Sequence, residues 1–232
     1  MRTLTIDIGG TGIKMLLLDA AGRPLGERAR QLTPKPATPA AVLALVARML
    51  AERDSFDRVS VGFPGVVVRG VVRSAPNLGT DDWRGFDLQS ELAASTGVPT
   101  RVINDADLQG FGVIVGRGVE LVLTLGTGLG TGLYVDGRLV PNLEIGHHPL
   151  IEGRTYEDLT SDRELKRIGE KRWRERVDLV ITTLEPVFNY DLLHVGGGNA
   201  RLLEEPFPEK VRVFASNEGM SGGIRLWDDD ST

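Results

Sequence analysis

Three stretches of this sequence carry residue types that could handle a phosphoryl group. The first is Asp7-Ile8-Gly9-Gly10-Thr11-Gly12-Ile13-Lys14. Alternating apolar residues Leu4, Ile6 and Ile8 lead into it as a strand, and a second apolar run from Met15 to Leu18 leaves it. Glycine lets backbone come close to a ligand, and a tight turn of backbone N–H groups makes an anion-binding concavity. Asp7 at the strand end could face a metal–phosphate, while Thr11 and Lys14 add a hydroxyl and a cation. The pattern is not a P-loop, where the glycine turn opens a helix and ends in Gly-Lys-Ser/Thr. An ordinary hairpin with a glycine turn fits the same eight residues about equally well. The second stretch, Gly126-Thr127-Gly128-Leu129-Gly130-Thr131-Gly132, repeats the arrangement of strand, glycine turn and strand. The third is Asn104-Asp105, at the end of a short strand and the start of a helix. Phosphoryl transfer needs a base for the attacking hydroxyl, and Asp105 is the candidate. Taken alone, the pair reads more simply as a helix cap, because both residue types are preferred there.

The elements that must position these residues follow from pattern. Strands are predicted at Thr3–Asp7, Lys14–Asp19 and Leu25–Leu32, the last two joined by a turn at 20–24. Thr38 is an N-cap with Pro39 in the first helical position, and a helix runs from about Ala40 to Arg53 with Val42, Leu45, Val46 and Met49 on one face. Val59–Phe63 is a strand, and Val66–Val72 continues the same sheet. Asp87 caps a helix to Thr96, with Gly97 beyond its end. Val98–Ile103 is a strand, followed by a helix toward Phe111. In the second half, strands are predicted at Glu120–Leu125 and Leu133–Val135, with a hairpin turn at Asp136-Gly137. Tyr156–Phe188 is helical, and strand Leu192–Val195 runs into Gly196-Gly197-Gly198. Val211–Phe214 is a last strand before a short closing helix. Two related lobes, each presenting a glycine turn to a shared cleft, are the expected organisation.

Composition narrows the partners. At 232 residues with a formal charge of −5, the chain has no global attraction for nucleic acid or anionic membrane. It has no cysteine, so disulfides and thiolate metal sites are excluded. No signal peptide and no membrane span are expected. The acidic end, Asp228-Asp229-Asp230, reads as a solvated terminus. His194 alternates with apolar neighbours in a strand and reads as structural. The charged stretch from Arg163 to Asp178 mixes both signs and reads as a solvated helix face with intrahelical pairs.

Six motifs in order, Asp7 to Lys14, Gly62-Phe63-Pro64-Gly65, Asn104 to Asp107, Leu125 to Gly130, Glu144-Ile145-Gly146-His147 and Val195 to Gly198, resemble the ROK sugar kinases. The softer features Thr33-Pro34-Lys35-Pro36, Ala75-Pro76-Asn77-Leu78 with Trp83, and Gly137 to Asn142 resemble the polyphosphate-dependent glucokinases within that family. The resemblance implies a two-lobed actin/hexokinase-like (ribonuclease H-like) α/β fold, with mixed sheets flanked by helices and a cleft between lobes. The lobes are then 1–104 and 105–232. It implies a kinase that moves a phosphoryl group from polyphosphate or ATP to the 6-hydroxyl of glucose or a similar hexose, with Asp105 as base. Gly65, Asn77, Asn104, Asp105, Glu144, His147 and Glu157 would bind the sugar. Gly9, Gly10, Thr11, Lys14, Thr127, Gly128, Gly196, Gly197 and Gly198 would bind the donor, and Asp7 would orient Mg²⁺ through water. Many relatives hold zinc with cysteines after the Gly-His pair; here His147 is followed by His148-Pro149-Leu150, so no zinc is expected. A homodimer is the family habit, and a cytoplasmic location is expected. The competing expectations are an ATP-dependent mannose or N-acetylhexosamine kinase, and a catalytically silent sugar-binding regulator.

Overall fold

The computed structural model describes residues 1–228. Of the acidic end, Asp229 and Asp230 lie outside the described residues. In chain order the first half holds β1 (Thr3–Ile8), β2 (Ile13–Leu18), β3 (Ala29–Gln31), α1 (Pro39–Leu50), β4 (Arg58–Phe63), β5 (Val67–Val68), β6 (Val71–Val72), α2 (Leu88–Thr96), β7 (Thr100–Asn104) and α3 (Asp105–Phe111). The second half holds β8 (Val119–Leu125), β9 (Leu129–Val135), β10 (Arg138–Val140), β11 (Pro149–Ile151), β12 (Arg154–Thr155), α4 (Tyr156–Thr160), α5 (Asp162–Ile168), α6 (Glu170–Phe188), β13 (Leu192–Gly196), β14 (Val211–Val213) and α7 (Ser216–Met220).

Two five-stranded sheets organise the chain, in the orders β3-β2-β1-β4-β7 and β10-β9-β8-β13-β14. Each begins with antiparallel neighbours and ends with two parallel pairings. The echo between the two glycine turns therefore extends to whole sheets: β1–β2 corresponds to β8–β9, and each turn sits at the same edge of its own sheet. Parallel pairing needs a crossover, and α1 and α6 supply crossovers in their respective halves.

The central strand β1 is buried along its whole length. On one face, α1 covers it with Val42, Leu45, Val46 and Met49, the spacing of a single helical stripe. Thr38 Oγ1 accepts from the Ala41 N–H at 3.3 Å, with Pro39 opening the helix. On the other face the chain end returns. Met220 and Ile224 pack on Leu16 and Leu18. Ser60 Oγ donates to the Gly223 carbonyl at 2.7 Å, and Trp227 Nε1 donates to Ser60 Oγ at 2.7 Å. The Trp227 ring lies under the guanidinium groups of Arg58, at 5.1 Å, and Arg101, at 4.6 Å. In the second half, Trp173, Val177, Val180 and Leu184 of α6 pack against Leu121, Leu123, Leu193 and Val195. His194 is buried in that sheet, its Nε2 2.8 Å from Glu120 Oε2, which makes it structural as expected.

Three expectations change. Val66–Val72 does not continue the main sheet; β5 and β6 fold back on each other, because Arg69 (φ 52°) and Gly70 (φ 78°) form a tight left-handed turn. The predicted strand Leu25–Leu32 is reduced to β3, since an isolated bridge of Leu18 with Pro24 and a loop through Gly26 interrupt it. The helical stretch Tyr156–Phe188 is split twice, where Ser161 caps α5 and where Gly169 adopts φ 79°. Within α5, Lys166 pairs with Asp162 and Arg167 with Glu164, the intrahelical pairing the charge pattern suggests. Among the described residues no helix is long and apolar enough to cross a membrane.

Trp227→Ala tests what the Trp227 side chain adds to the first sheet. It removes one hydrogen bond and two cation–π contacts, and we expect a loss of about 2 kcal/mol by denaturant unfolding; no loss would mean that these contacts add nothing to that sheet.

Candidate active site

The two glycine turns face each other across a cavity of about 680 Å³. The first turn is made by β1 and β2. Asp7, only 4 % exposed, pairs in register with Lys14, whose Nζ donates to Asp7 Oδ2 at 2.8 Å. Gly9 N donates to the Gly12 carbonyl at 3.0 Å and closes the turn, and Thr33 Oγ1 ties down the Gly9 carbonyl at 2.5 Å. The second turn is made by β8 and β9, where Gly126 N donates to the Gly128 carbonyl at 3.1 Å. Glu157 Oε2 accepts from Leu129 N at 3.0 Å, and a Cβ on Gly128 would lie 2.1 Å from that same oxygen. Only glycine lets Glu157 reach the turn.

The floor of the cavity is the junction of β7 and α3. Asn104 Oδ1 accepts from Ala106 N at 2.8 Å and Asp107 N at 3.1 Å, so Asn104 is the helix cap. Its amide nitrogen is spent elsewhere, donating to the Gly65 carbonyl at 3.2 Å and to Glu144 Oε1 at 3.1 Å. The cap and site readings of Asn104 therefore both hold, on opposite ends of one side chain. Gly65 comes so close to the chain opposite that a Cβ would lie 2.1 Å from the Ser74 carbonyl. Glu144 Oε2 lies 3.5 Å from His147 Nε2.

Asp105 is the first residue of α3, and one carboxylate oxygen accepts from Ala106 N at 2.9 Å. Burial raises its pKa well above the usual carboxylate range, and the negative charge of Asp7 raises it further; the Ala106 N–H and Lys14 pull the other way. Burial also raises Glu144. The Asp107 carboxyl is pushed up to about 7, chiefly by burial.

Of the residues singled out in the sequence, Asp7, Gly9, Gly10, Thr11, Lys14, Gly65, Asn77, Asn104, Asp105, Thr127, Gly128, Glu144, His147, Glu157, Gly197 and Gly198 line this one cavity. Gly196 does not. It is buried, and a Cβ there would lie 2.1 Å from the Phe214 ring, so its small size serves packing. Gly197 and Gly198 face the cavity, and a Cβ on Gly197 would lie 2.4 Å from the Leu125 carbonyl. The sequence reading missed Arg28, Arg30, Gln109, Asp162, Asn199 and Arg201, which also line the cavity. It also missed a bridge behind the floor. Asn142 makes a paired hydrogen bond with the Val67 backbone, at 2.9 and 3.0 Å, while its own N–H donates to Asp107 Oδ2 at 3.1 Å.

Among the described residues no group of three or more His, Asp or Glu side chains could enclose a metal ion. The donor set nonetheless suits Mg²⁺, which keeps several waters and binds through one or two carboxylates plus phosphate oxygens. Asp7 and Asp105 are hard oxygen donors in the same cavity.

Asn104→Ser separates the two jobs of that side chain. Serine caps a helix about as well as asparagine, so the loss of unfolding stability is expected to come from the two floor hydrogen bonds alone, about 1–3 kcal/mol. Loss of the amide donor leaves Glu144 and the Gly65 carbonyl without it, and we expect ligand affinity at the floor, read by titration with glucose, to weaken by tenfold or more. Unchanged affinity would leave the cap as the residue's only role.

Residues 3–159 match the ROK family. The chain is 33% identical over 244 residues to the polyphosphate glucokinase of Mycobacterium tuberculosis (strain ATCC 25618 / H37Rv), covering 98% of this chain and 91% of that protein. Its structure is similar to that of the inorganic polyphosphate/ATP-glucomannokinase from Arthrobacter sp. strain KM, with a TM-score of 0.84, 33% identity, and coverage of 98% of this chain and 99% of that one. A ROK family glucokinase from Streptomyces griseus in complex with glucose and AMPPNP shares the fold at 22% identity, with a TM-score of 0.82 and coverage of 97% and 99%. The fold is the two-lobed actin/hexokinase-like arrangement of mixed sheets and helices. With that architecture, and with the match spanning both glycine turns and the Asn104-Asp105 floor, the chain belongs to the ROK family.

Proposed function

We propose that this chain is a hexose kinase that transfers a phosphoryl group from inorganic polyphosphate or ATP to the 6-hydroxyl of glucose. The observation that carries the reading is the placement of Asp105, a carboxylate of raised basicity on the floor of a cavity walled by both glycine turns. The names of the relatives, a polyphosphate glucokinase and a polyphosphate/ATP-glucomannokinase, support the choice of donor and acceptor. The second of those names also favours mannose as a further acceptor.

In the proposed mechanism the sugar lies on the floor, with its hydroxyls on Asn104, Glu144, His147, Glu157, Asn77 and the Gly65 backbone. Each hydroxyl taken out of water must find a partner, and this set supplies both donors and acceptors. Asp105 accepts the proton of the 6-hydroxyl as the new O–P bond forms. The bond from phosphorus to the donor's bridging oxygen breaks, and the leaving chain, or ADP, keeps the electron pair. Backbone N–H groups around Gly9, Gly10, Thr11, Thr127 and Gly128, with Gly197 and Gly198 beyond, cradle the phosphates. Lys14 adds a positive charge beside them. When bound, Mg²⁺ supplies charge neutralisation at the phosphates, and Asp7 is the residue that would hold it through water. Excluding water from the closed cleft keeps it from competing as acceptor. We extend the same reading to a cytoplasmic homodimer with lobes divided near 104/105.

The silent-regulator alternative has less behind it, since the base and both phosphate turns are present together in one cavity. Asp105→Asn tests the reading. A positioned general base contributes about 10²- to 10⁴-fold, and we expect kcat to fall by that factor. The base works only when deprotonated, so activity falls as pH drops through its pKa. Because that pKa is raised, the acid limb of the parent lies above the ordinary carboxylate range, and the variant loses the limb. An Asp105→Asn enzyme that keeps most of its kcat would refute the base assignment.

A further inference from the structure

Two arginines beside the first glycine turn have no use in the mechanism above. Arg30 stands directly opposite Lys14 in the antiparallel pairing of β2 and β3, so the two side chains share one face of the sheet. Its guanidinium lies against the phosphate turn, with Nε 3.0 Å from where a Cβ on Gly12 would sit. Arg28, immediately before β3, lines the same cavity. Both arginines line the cavity, both are exposed, and neither makes an ion pair or a side-chain hydrogen bond among the described residues. Arg201, in the short turn after Gly198, lines the same cavity from the second half of the chain and is equally unpaired among those residues.

Other cations are matched: Arg154 and Arg167 by Glu164, Lys166 by Asp162, Arg174 by Glu204 and Lys210 by Glu185. Lys14 is also matched, by Asp7. The unmatched cations of the cavity are therefore Arg28, Arg30 and Arg201, all at the glycine turns and away from the floor. Cationic side chains continuing past a phosphate-binding turn suit a repeating anion. Guanidinium groups hold phosphate oxygens in bidentate fashion, which a compact ammonium does not.

We propose that Arg28 and Arg30, with Arg201 across the cleft, form a track for the distal phosphates of an inorganic polyphosphate chain, the segment beyond the phosphoryl group in transfer. The track rests on the reading of the cavity as a kinase site and sets the preference for polyphosphate over ATP. Three phosphates can engage only part of this set; a long chain spans all of it.

The test is the Arg28→Gln/Arg30→Gln double variant, measured two ways. The first is equilibrium binding of long-chain sodium polyphosphate by isothermal titration without sugar. The second is glucose phosphorylation with long-chain polyphosphate, tripolyphosphate and ATP. We expect long-chain affinity to fall tenfold or more, and the ratio of kcat/KM for long-chain polyphosphate over ATP to fall by a similar factor. The salt dependence of long-chain binding flattens by about one unit of log–log slope for each phosphate that an arginine no longer neutralises. The conservative Arg28→Lys/Arg30→Lys variant keeps part of the affinity. Equal losses for all three donors would overturn the track, because the arginines would then serve only the transferring end; no loss for long-chain polyphosphate would overturn it as well. If the parent binds polyphosphate through these arginines but does not turn it over, the track stands and the donor assignment of the kinase reading fails.

Discussion

Two carboxylates, Asp7 and Asp105, share one cavity, and a single ammonium group, Lys14, is matched to the first of them. The rest of the site follows from that confinement. Lys14 is held by its register opposite Asp7, and its Nζ donates to the Asp7 carboxylate. At Asp105, burial, the charge of Asp7 and the charge of Glu144 outweigh the Ala106 N–H and Lys14 and make its carboxylate more basic. A carboxylate made basic in this way is suited to take a proton from a sugar hydroxyl near neutral pH. The same confinement explains why the phosphate end needs neutralising groups from outside the pair, which backbone N–H groups and a hydrated cation would provide.

The architecture brings these groups together through repetition. Each half of the chain builds a sheet of the same order, with a glycine turn between its two leading antiparallel strands. Two such turns facing each other make a cleft whose walls are largely backbone, rigid at the strand ends. The floor comes from the last strand of the first sheet, β7, where Asn104 ends the strand, caps α3 and reaches across to Glu144. One side chain thus couples the start of a helix to a loop of the second half. Behind it, Asn142 couples the β5–β6 ribbon to Asp107 of the same helix. The helix carrying the base is in this way fixed from both sides of the cleft.

What the sequence made legible was local. The caps Thr38, Asp87 and Asn104 act on N–H groups two or three residues away, so their residue types announce them. The hydrophobic stripe of α1 and the glycine turns are equally short-range. The errors arose where distant chain decided the outcome. Gly196 reads as part of a ligand-binding glycine run, but the Phe214 ring fills the space its side chain would occupy. Val66–Val72 reads as one strand, but the turn at Arg69-Gly70 folds it on itself. Arg28 and Arg30 carry no local signal of the cavity: the pairing that sets Arg30 opposite Lys14 is shifted by two residues from the one the Leu18–Pro24 bridge would give. The Asn142 bridge spans 75 residues and leaves no local trace.

The central claim is geometric: the sugar's 6-hydroxyl meets Asp105 between the two glycine turns. A crystal structure of the protein with glucose tests it most directly. The account predicts the 6-hydroxyl within hydrogen-bonding distance of the Asp105 carboxylate, about 2.6–3.2 Å, and open toward Gly10 and Gly128. Glucose bound with that hydroxyl turned away from Asp105, or bound outside this cavity, would contradict it.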